Sequence, residues 1–175
     1  MTITFESLNE SHFALLLEWL ELPIVKKWWD QDITYTPALI REKFSKHTHG
    51  MALSENLNNK IYAYIICSNG QKIGYIQTYS AREFEKSNCL DLSSISGSIC
   101  GVDLFISDSN LLNKGIGPQI LNKFEEQILY PHFDFCLIDP AKDNIAAIKA
   151  FGKAGYKVEE TLRSESSIWM IKKLF

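Results

Sequence analysis

The segment from Ser98 to Ile138 constrains the fold more than any other part of the chain. It opens with an apolar run, Ser98 to Ile106. Alternation puts Cys100, Val102, Leu104 and Ile106 on one face and Ile99, Gly101, Asp103 and Phe105 on the other. A strand that is apolar on both faces belongs near the middle of its sheet. A polar loop leads from it to Lys114-Gly115-Ile116-Gly117-Pro118, and Ile120, Leu121, Phe124 and Ile128 then recur at helical spacing. His132 to Ile138 reads as a second buried strand, with Phe133, Phe135 and Leu137. Strand, glycine loop, helix and strand form a crossover unit, which requires a parallel strand pair with a helix packed across it.

The same segment carries the candidate chemistry. A glycine loop at a helix start exposes unpaired N–H groups at the positive end of the helix dipole, an arrangement suited to a phosphate. Asp103 lies a short way upstream on the strand. A lone carboxylate there is costly unless it is paired, hydrogen-bonded or wetted from a cleft. Gly101 permits a bulge or the close approach of a ligand. Other glycine and catalytic motifs are missing. The chain has no G-x-x-x-x-G-K-[ST], no G-x-G-x-x-G and no H-E-x-x-H. Gly97-Ser98-Ile99-Cys100-Gly101 lacks the central serine of a nucleophile elbow.

The remaining elements fall around this unit. Thr2 to Ser7 alternates as a short strand. Asn9 or Ser11 caps a helix whose inward face is Phe13, Leu16, Leu17 and Leu20, broken at Leu22-Pro23. Two tryptophans beside acids follow, in Trp28-Trp29-Asp30-Gln31-Asp32. They form either a pocket wall that stacks a cationic ligand, or one core ring and one cover for a helix end. Pro37 to His47 predicts an amphipathic helix with Leu39, Ile40 and Phe44 inward and Arg41, Glu42, Lys43 and Lys46 outward. Lys60 to Ser68 and Gln71 to Tyr79 predict a hairpin through Asn69-Gly70, which supplies the positive φ angles of a type I′ turn. The second of these strands sets Ile73, Tyr75, Gln77 and Tyr79 on one face, either a pocket lining or the wetter side of a sheet. Ala81 to Ser96 is a long polar loop, expected near the substrate. Asp143 is a candidate N-cap for a small-residue helix, Ile145 to Ala154, that ends at Gly155. Tyr156 to Leu162 and Ser167 to Phe175 read as a closing antiparallel pair.

The 175 residues suit one domain, 1–175, with a sizeable core. A net charge of −3 argues against a nucleic-acid partner. Cys67, Cys89, Cys100 and Cys136 have no framework spacing and read as reduced structural thiols. His47 and His49 form an H-x-H with no carboxylate or cysteine at ligand spacing, so they read as surface histidines and no metal is expected. No apolar run is long enough to span a bilayer, and no basic leader precedes an apolar stretch; a cytoplasmic protein is expected.

Two stretches carry a resemblance. Leu112-Asn113-Lys114-Gly115-Ile116-Gly117 resembles the pyrophosphate loop [RQ]-x-x-G-x-[GA] of the GNAT superfamily of N-acetyltransferases, departing at Leu112. Asn144-x-x-Ala147-x-x-x-Phe151-x-Lys153-x-Gly155-Tyr156 is similar to that family's second acetyl-CoA motif, N-x-x-A-x-x-x-Y-x-K-x-G-[FY]. Gly101-Val102-Asp103, Ile138-Asp139-Pro140, Val25-Lys26-Lys27-Trp28-Trp29 and Ile73 to Tyr79 look like the aminoglycoside 6′-N-acetyltransferases within it. The loop Ala81 to Ser96 departs, carrying only Glu83, Glu85 and Asp91 as acids and no Trp.

The resemblance implies an α/β (α+β) GNAT fold, a mixed central sheet of about six or seven strands flanked by about four helices. It implies that Leu104, Phe105 and Ile106, the loop Leu112, Asn113, Lys114, Gly115, Ile116 and Gly117, and Asn144, Ala147, Phe151 and Lys153 hold acetyl-CoA. It also implies that Trp28, Trp29, Asp30, Gln77, Tyr79, Asp103 and Asp139 hold a small cationic amine, as a monomer or homodimer. Asp103 is the expected base. An ammonium with a reference pKa of about 10.4 must lose its proton before it can attack a thioester. A backbone amide just after that acid is the expected oxyanion donor. Phe151 stands where many relatives have a tyrosine that protonates the leaving thiolate. Two alternatives remain open: a hydroxylysine-type siderophore precursor or other polyamine as acceptor, and a CoA-binding module without activity.

Overall fold

The structure, a computed structural model, describes residues 1–48, 60–83, 91–130 and 132–175. His49, Cys89 and the centre of the loop after Ser80 lie outside the described residues. The strands are β1 (Ile3–Ser7), β2 (Ile61–Ser68), β3 (Gln71–Ser80), β4 (Ile99–Ile106), β5 (Phe135–Ile138), β6 (Lys157–Val158) and β7 (Met170–Lys173). They form one sheet in the order β1-β2-β3-β4-β5-β7-β6. β4 is central, as its two apolar faces require. The β4–β5 pair is parallel and the other neighbours are antiparallel. The crossover between β4 and β5 is α4 (Ile116–Phe124), which runs on into a single π turn, Glu125–Leu129.

Helices cover both faces of the sheet. On one, α4 buries Ile116, Ile120, Leu121 and Phe124 against Tyr62, Tyr64, Ile66, Cys100 and Val102. Phe124 meets Phe5 and Tyr64 edge to face, with centroids 5.1 and 5.5 Å away. On the other, α1 (Phe13–Leu20), α2 (Pro23–Lys26) and α3 (Pro37–Phe44) cover Ala63, Ile65, Tyr75 and Phe105. The break expected at Pro23 is there, and Pro23 also starts α2 from its first turn. The last helix, α5 (Ile145–Lys153), packs beside α4.

The hairpin turns through Asn69 (φ +49°) and Gly70 (φ +80°), the left-handed pair its sequence predicts. Ile66 then pairs with Gly74 and Cys67 with Lys72, so Ile73 is an extra residue in β3. This bulge corrects the predicted face. Ile73 joins Ile76 in the cluster under α4, while Tyr75 packs on the opposite side of the sheet.

Three further expectations are corrected. Asn144, not Asp143, caps α5, its side chain accepting from Ala147 N at 3.2 Å. His47 is buried rather than a surface residue, because a 3₁₀ turn, Ser45–His47, extends the inward stripe of α3. Lys43 turns inward at the edge of that stripe and is half-buried. The described ends of the loop after Ser80 are anchored on the sheet, and its centre, residues 84–90, lies outside the described residues. Leu92 and Ala81 are buried against Ile99, Leu137 and Leu162, and Arg82 donates to the carbonyls of Leu92, Ile95 and Gly97. Cys67, Cys100 and Cys136 are free and buried.

Gly101 is not at a bulge: its pairing with Tyr79 and Leu137 is regular. The ring of Tyr79 lies over it, and an added Cβ would sit 2.4 Å from two ring carbons. Gly101→Ala is expected to lower unfolding stability in urea by about 1–3 kcal/mol, the usual range for forced repacking. Adding Tyr79→Leu should recover part of that loss.

Candidate active site

β4 and β5 stay together only briefly. Ile99, Cys100 and Gly101 pair with Phe135, Cys136 and Leu137, and pairing stops there. β4 continues to Ile106 against β3 alone, while the chain after β5 turns away at Asp139-Pro140. The space that opens is a cleft of about 790 Å³. Its walls are the free half of β4, the loop before α4, the exposed flank of α5 and the segment from α2 to Asp30.

Pairing alternation decides what β4 offers to that cleft. Ala81 N donates to Ile99 O, and Ser107 N donates to Ile73 O, so the odd residues of β4 bond to β3. The N–H and C=O groups of Leu104 and Ile106 therefore face the edge that β5 has left. At the far end, Asn113 (φ +60°) and Gly115 (φ +78°) turn the chain into the first turn of α4. A Cβ at Gly115 would meet nothing within 4 Å, so the left-handed φ, not crowding, is what calls for glycine. Opposite stand Ala146, Ala147 and Ala150, which leave a narrow groove, with Lys149 and Lys153 on the same wall. Helix-start N–H groups, a row of strand amides and a groove of small residues fit a thin ligand with a pyrophosphate at one end and an amide-bearing arm.

The acids sit at the parting point. Asp103 is two residues past Gly101, and Asp139 is two past its partner Leu137, so both project to the same face. Gln77 Nε2 donates to Asp103 Oδ2 at 2.7 Å, and the Tyr79 hydroxyl also hydrogen-bonds to this carboxylate. Tyr75 O–H donates to Gln77 Oε1 at 2.7 Å, which fixes the amide's orientation. His47 Nδ1 lies 3.4 Å from the Tyr75 oxygen; with the phenol hydrogen committed to Gln77, the contact calls for N–H at Nδ1. Asp103 is thus held by a chain of side chains reaching back to α3.

Burial pushes the Asp103 carboxyl above the usual range. Gln77 and Tyr79 oppose this, Asp30 adds to it and Lys43 counters it. Burial, with the neighbouring Asp103 charge, pushes Asp139 up to about 7.

The predicted acceptor residues are not equivalent. Trp29 packs edge to face on Phe105 (5.2 Å) and Tyr75 (5.8 Å) while also lining the cleft, and Trp28 lies on the cleft wall with Lys27 over its ring at 4.6 Å. Asp30 lines the cleft but is already bonded to Lys43 and Tyr35. Tyr79 is not on the wall; it reaches the site through Asp103. Among the loop residues, Leu112, Asn113, Gly115, Ile116 and Gly117 line the cleft and Lys114 does not. Phe151 lines it, and Tyr156 is buried behind, its hydroxyl bonded to Glu125 Oε1 at 2.9 Å.

A family model described as an acetyltransferase (GNAT) domain matches residues 9–163. The chain belongs to this family. The GNAT fold is matched by solved structures as well. A complex of AAC(6′)-Ib with ribostamycin and coenzyme A has a TM-score of 0.74 at 23% identity, covering 99% of this chain and 94% of that one. An uncharacterised Bacillus halodurans protein has a TM-score of 0.79 at 15% identity, covering 98% and 83%. Among curated proteins, the aminoglycoside N(6′)-acetyltransferase type 1 of Klebsiella pneumoniae is 23% identical over 175 residues, 98% of this chain and 83% of that protein. The protein is thus a GNAT acyltransferase. Sequence reasoning missed Lys43, His47 and Lys149 on its cleft. Continuing the α3 stripe from Leu39 and Ile40 to positions 43 and 47 would have found the first two.

Because the folded Asp139 holds its proton up to about 7, the folded GNAT domain binds more protons than the unfolded chain between about pH 4 and pH 7. That contribution is complete at the acid end and is lost as pH rises through 7. Asp139→Asn should flatten the fall in thermal midpoint between about pH 4 and pH 7, measured by calorimetry.

Proposed function

We propose that residues 1–175 act as one acetyl-CoA-dependent N-acetyltransferase domain whose acceptor is a primary amine of a small polycation, foremost the 6′-amine of an aminoglycoside. Resistance to such antibiotics would be the biological outcome. The observation that carries this reading is the placement of Asp103 and Asp139 at the β4–β5 parting, in the same cleft as the glycine-loop cradle. The curated relatives from Klebsiella pneumoniae and Serratia marcescens, named for aminoglycoside N(6′)-acetylation, support the choice of amine.

Acetyl-CoA, when bound, supplies the acetyl group as a thioester. The loop Asn113 to Gly117 and the start of α4 would take its pyrophosphate. Asn144, Ala147, Phe151 and Lys153 would flank it, and Leu104, Phe105 and Ile106 would align its arm. Asp103 and Asp139 attract the acceptor ammonium, and Asp103, held by Gln77 and Tyr79, takes its proton. The Leu104 N–H faces the cleft, where it can donate to an oxygen gaining negative charge. Most of the rate gain on this reading is positioning. Phe151 has no proton to give, and the Tyr156 hydroxyl is buried against Glu125 and Cys136, so neither serves as acid. A thiol pKa of about 8.5 lets the thiolate depart and take its proton from water.

Asp103→Asn should lower kcat by about 10²–10⁴-fold in a thiol-release assay while leaving the KM for acetyl-CoA unchanged. Unaltered turnover of every amine would remove Asp103 from the mechanism. In competition, a kanamycin-type amine should be acetylated faster than a lysine-derived hydroxamine; the reverse order would replace the aminoglycoside by the siderophore-type acceptor.

A further inference from the structure

The acceptor side of the cleft already contains an ammonium group, and it belongs to the protein. Lys43 Nζ donates to Asp30 Oδ2 at 2.6 Å and to the Tyr35 hydroxyl at 2.7 Å. The Tyr35 O–H donates in turn to the same Asp30 oxygen. The ring centroids of Tyr35 and Phe44 lie 5.4 and 5.6 Å from Nζ, within cation–π range. Asp30 is held at φ +47°, in a turn closed by Ile33 N donating to its carbonyl. A carboxylate, a phenol and two aromatic faces around one cation make a built ammonium site. It is filled from within the chain.

Asp30 and Lys43 both line the cleft that holds Asp103 and Asp139. Their side chains retain 27% and 34% of their exposure, so the pair is wet enough to exchange partners. The pair also acts on Asp103 with opposite signs, Asp30 raising its proton affinity and Lys43 lowering it. A polycationic acceptor that places one ammonium at Asp103 meets, at Asp30, a carboxylate that Lys43 already occupies.

We propose that Lys43 is a specificity-determining residue, an internal competitor that holds Asp30 against a second ammonium of the acceptor and so weakens selection for polycations over monoamines. The inference rests on the amine-acceptor reading above and adds to it which charges of the acceptor are counted.

The test compares wild type with Lys43→Met, which keeps the stem and removes the charge, and with Lys43→Arg and the double variant Asp30→Asn/Lys43→Met. The acceptors are kanamycin and the single-amine sugar 6-amino-6-deoxyglucose. Lys43→Met should lower the KM for kanamycin about tenfold, equivalent to about 1.4 kcal/mol. The monoamine's KM should stay within about twofold. Lys43→Arg should behave as wild type, and the double variant should show no gain. An unchanged or higher kanamycin KM in Lys43→Met, or an equal gain for both amines, overturns the proposal while leaving the acetyltransferase reading intact. If no variant turns over either amine, the acceptor reading has failed. Calorimetric binding of kanamycin to the CoA-loaded protein then decides separately. Tenfold tighter binding to Lys43→Met supports the Lys43 proposal, and unchanged or absent binding overturns it.

Discussion

The parting of β4 from β5 is the constraint on which the rest of the structure depends. Three residue pairs hold the strands together, and everything chemical lies just beyond the third. A backbone edge without a neighbouring strand is ordinarily a cost, because buried N–H and C=O groups need partners. Here the unpaired stretch of β4 borders a cleft, so its amides are available to a ligand. The two acids gain from the same break. Where the pairing ends, carboxylates on neighbouring strands reach open space together, and their shared burial keeps protons on them longer than an exposed pair would.

Support for that parting comes from both layers. Under β4, α4 fills the face of Cys100 and Val102 and also brings its own first turn to the cleft. Above it, Gly101 accepts the ring of Tyr79, and Tyr79 holds Asp103. The glycine is thus used for a side chain of the protein itself. Gln77, Tyr75 and His47 extend this bracing to α3, the helix that also brings Lys43 to Asp30.

Much of this was legible in the sequence where local pattern and tertiary role agree. The crossover unit, the hairpin at Asn69-Gly70, the central place of β4 and the stop at Gly155 each follow from periodicity or from one residue's backbone preference. What was not legible depends on count or on partners. One extra residue at Ile73 reversed the side it packs on, and no composition signal marks such a bulge. His47 read as a surface residue because the helical stripe was ended too early. Asp30 read as a ligand for a cation, and the cation it meets, Lys43, lies thirteen positions on, a contact that only the packing of α3 reveals. Asp143 and Asn144 are equally good caps by type, and only the backbone geometry separates them.

The order of the strands carries a consequence for how the protein is made. β5 is held on its outer side by β7, the strand of Met170 to Lys173, which inserts between β5 and β6. A growing chain can therefore assemble β1 to β4 and their helices before the second neighbour of β5 has been synthesised. Until Met170 pairs with Ile138, the strand that leads into Asp139 has an open edge. The half of the sheet that borders the cleft is therefore complete only when β7, the last of the described strands, lies beside β5.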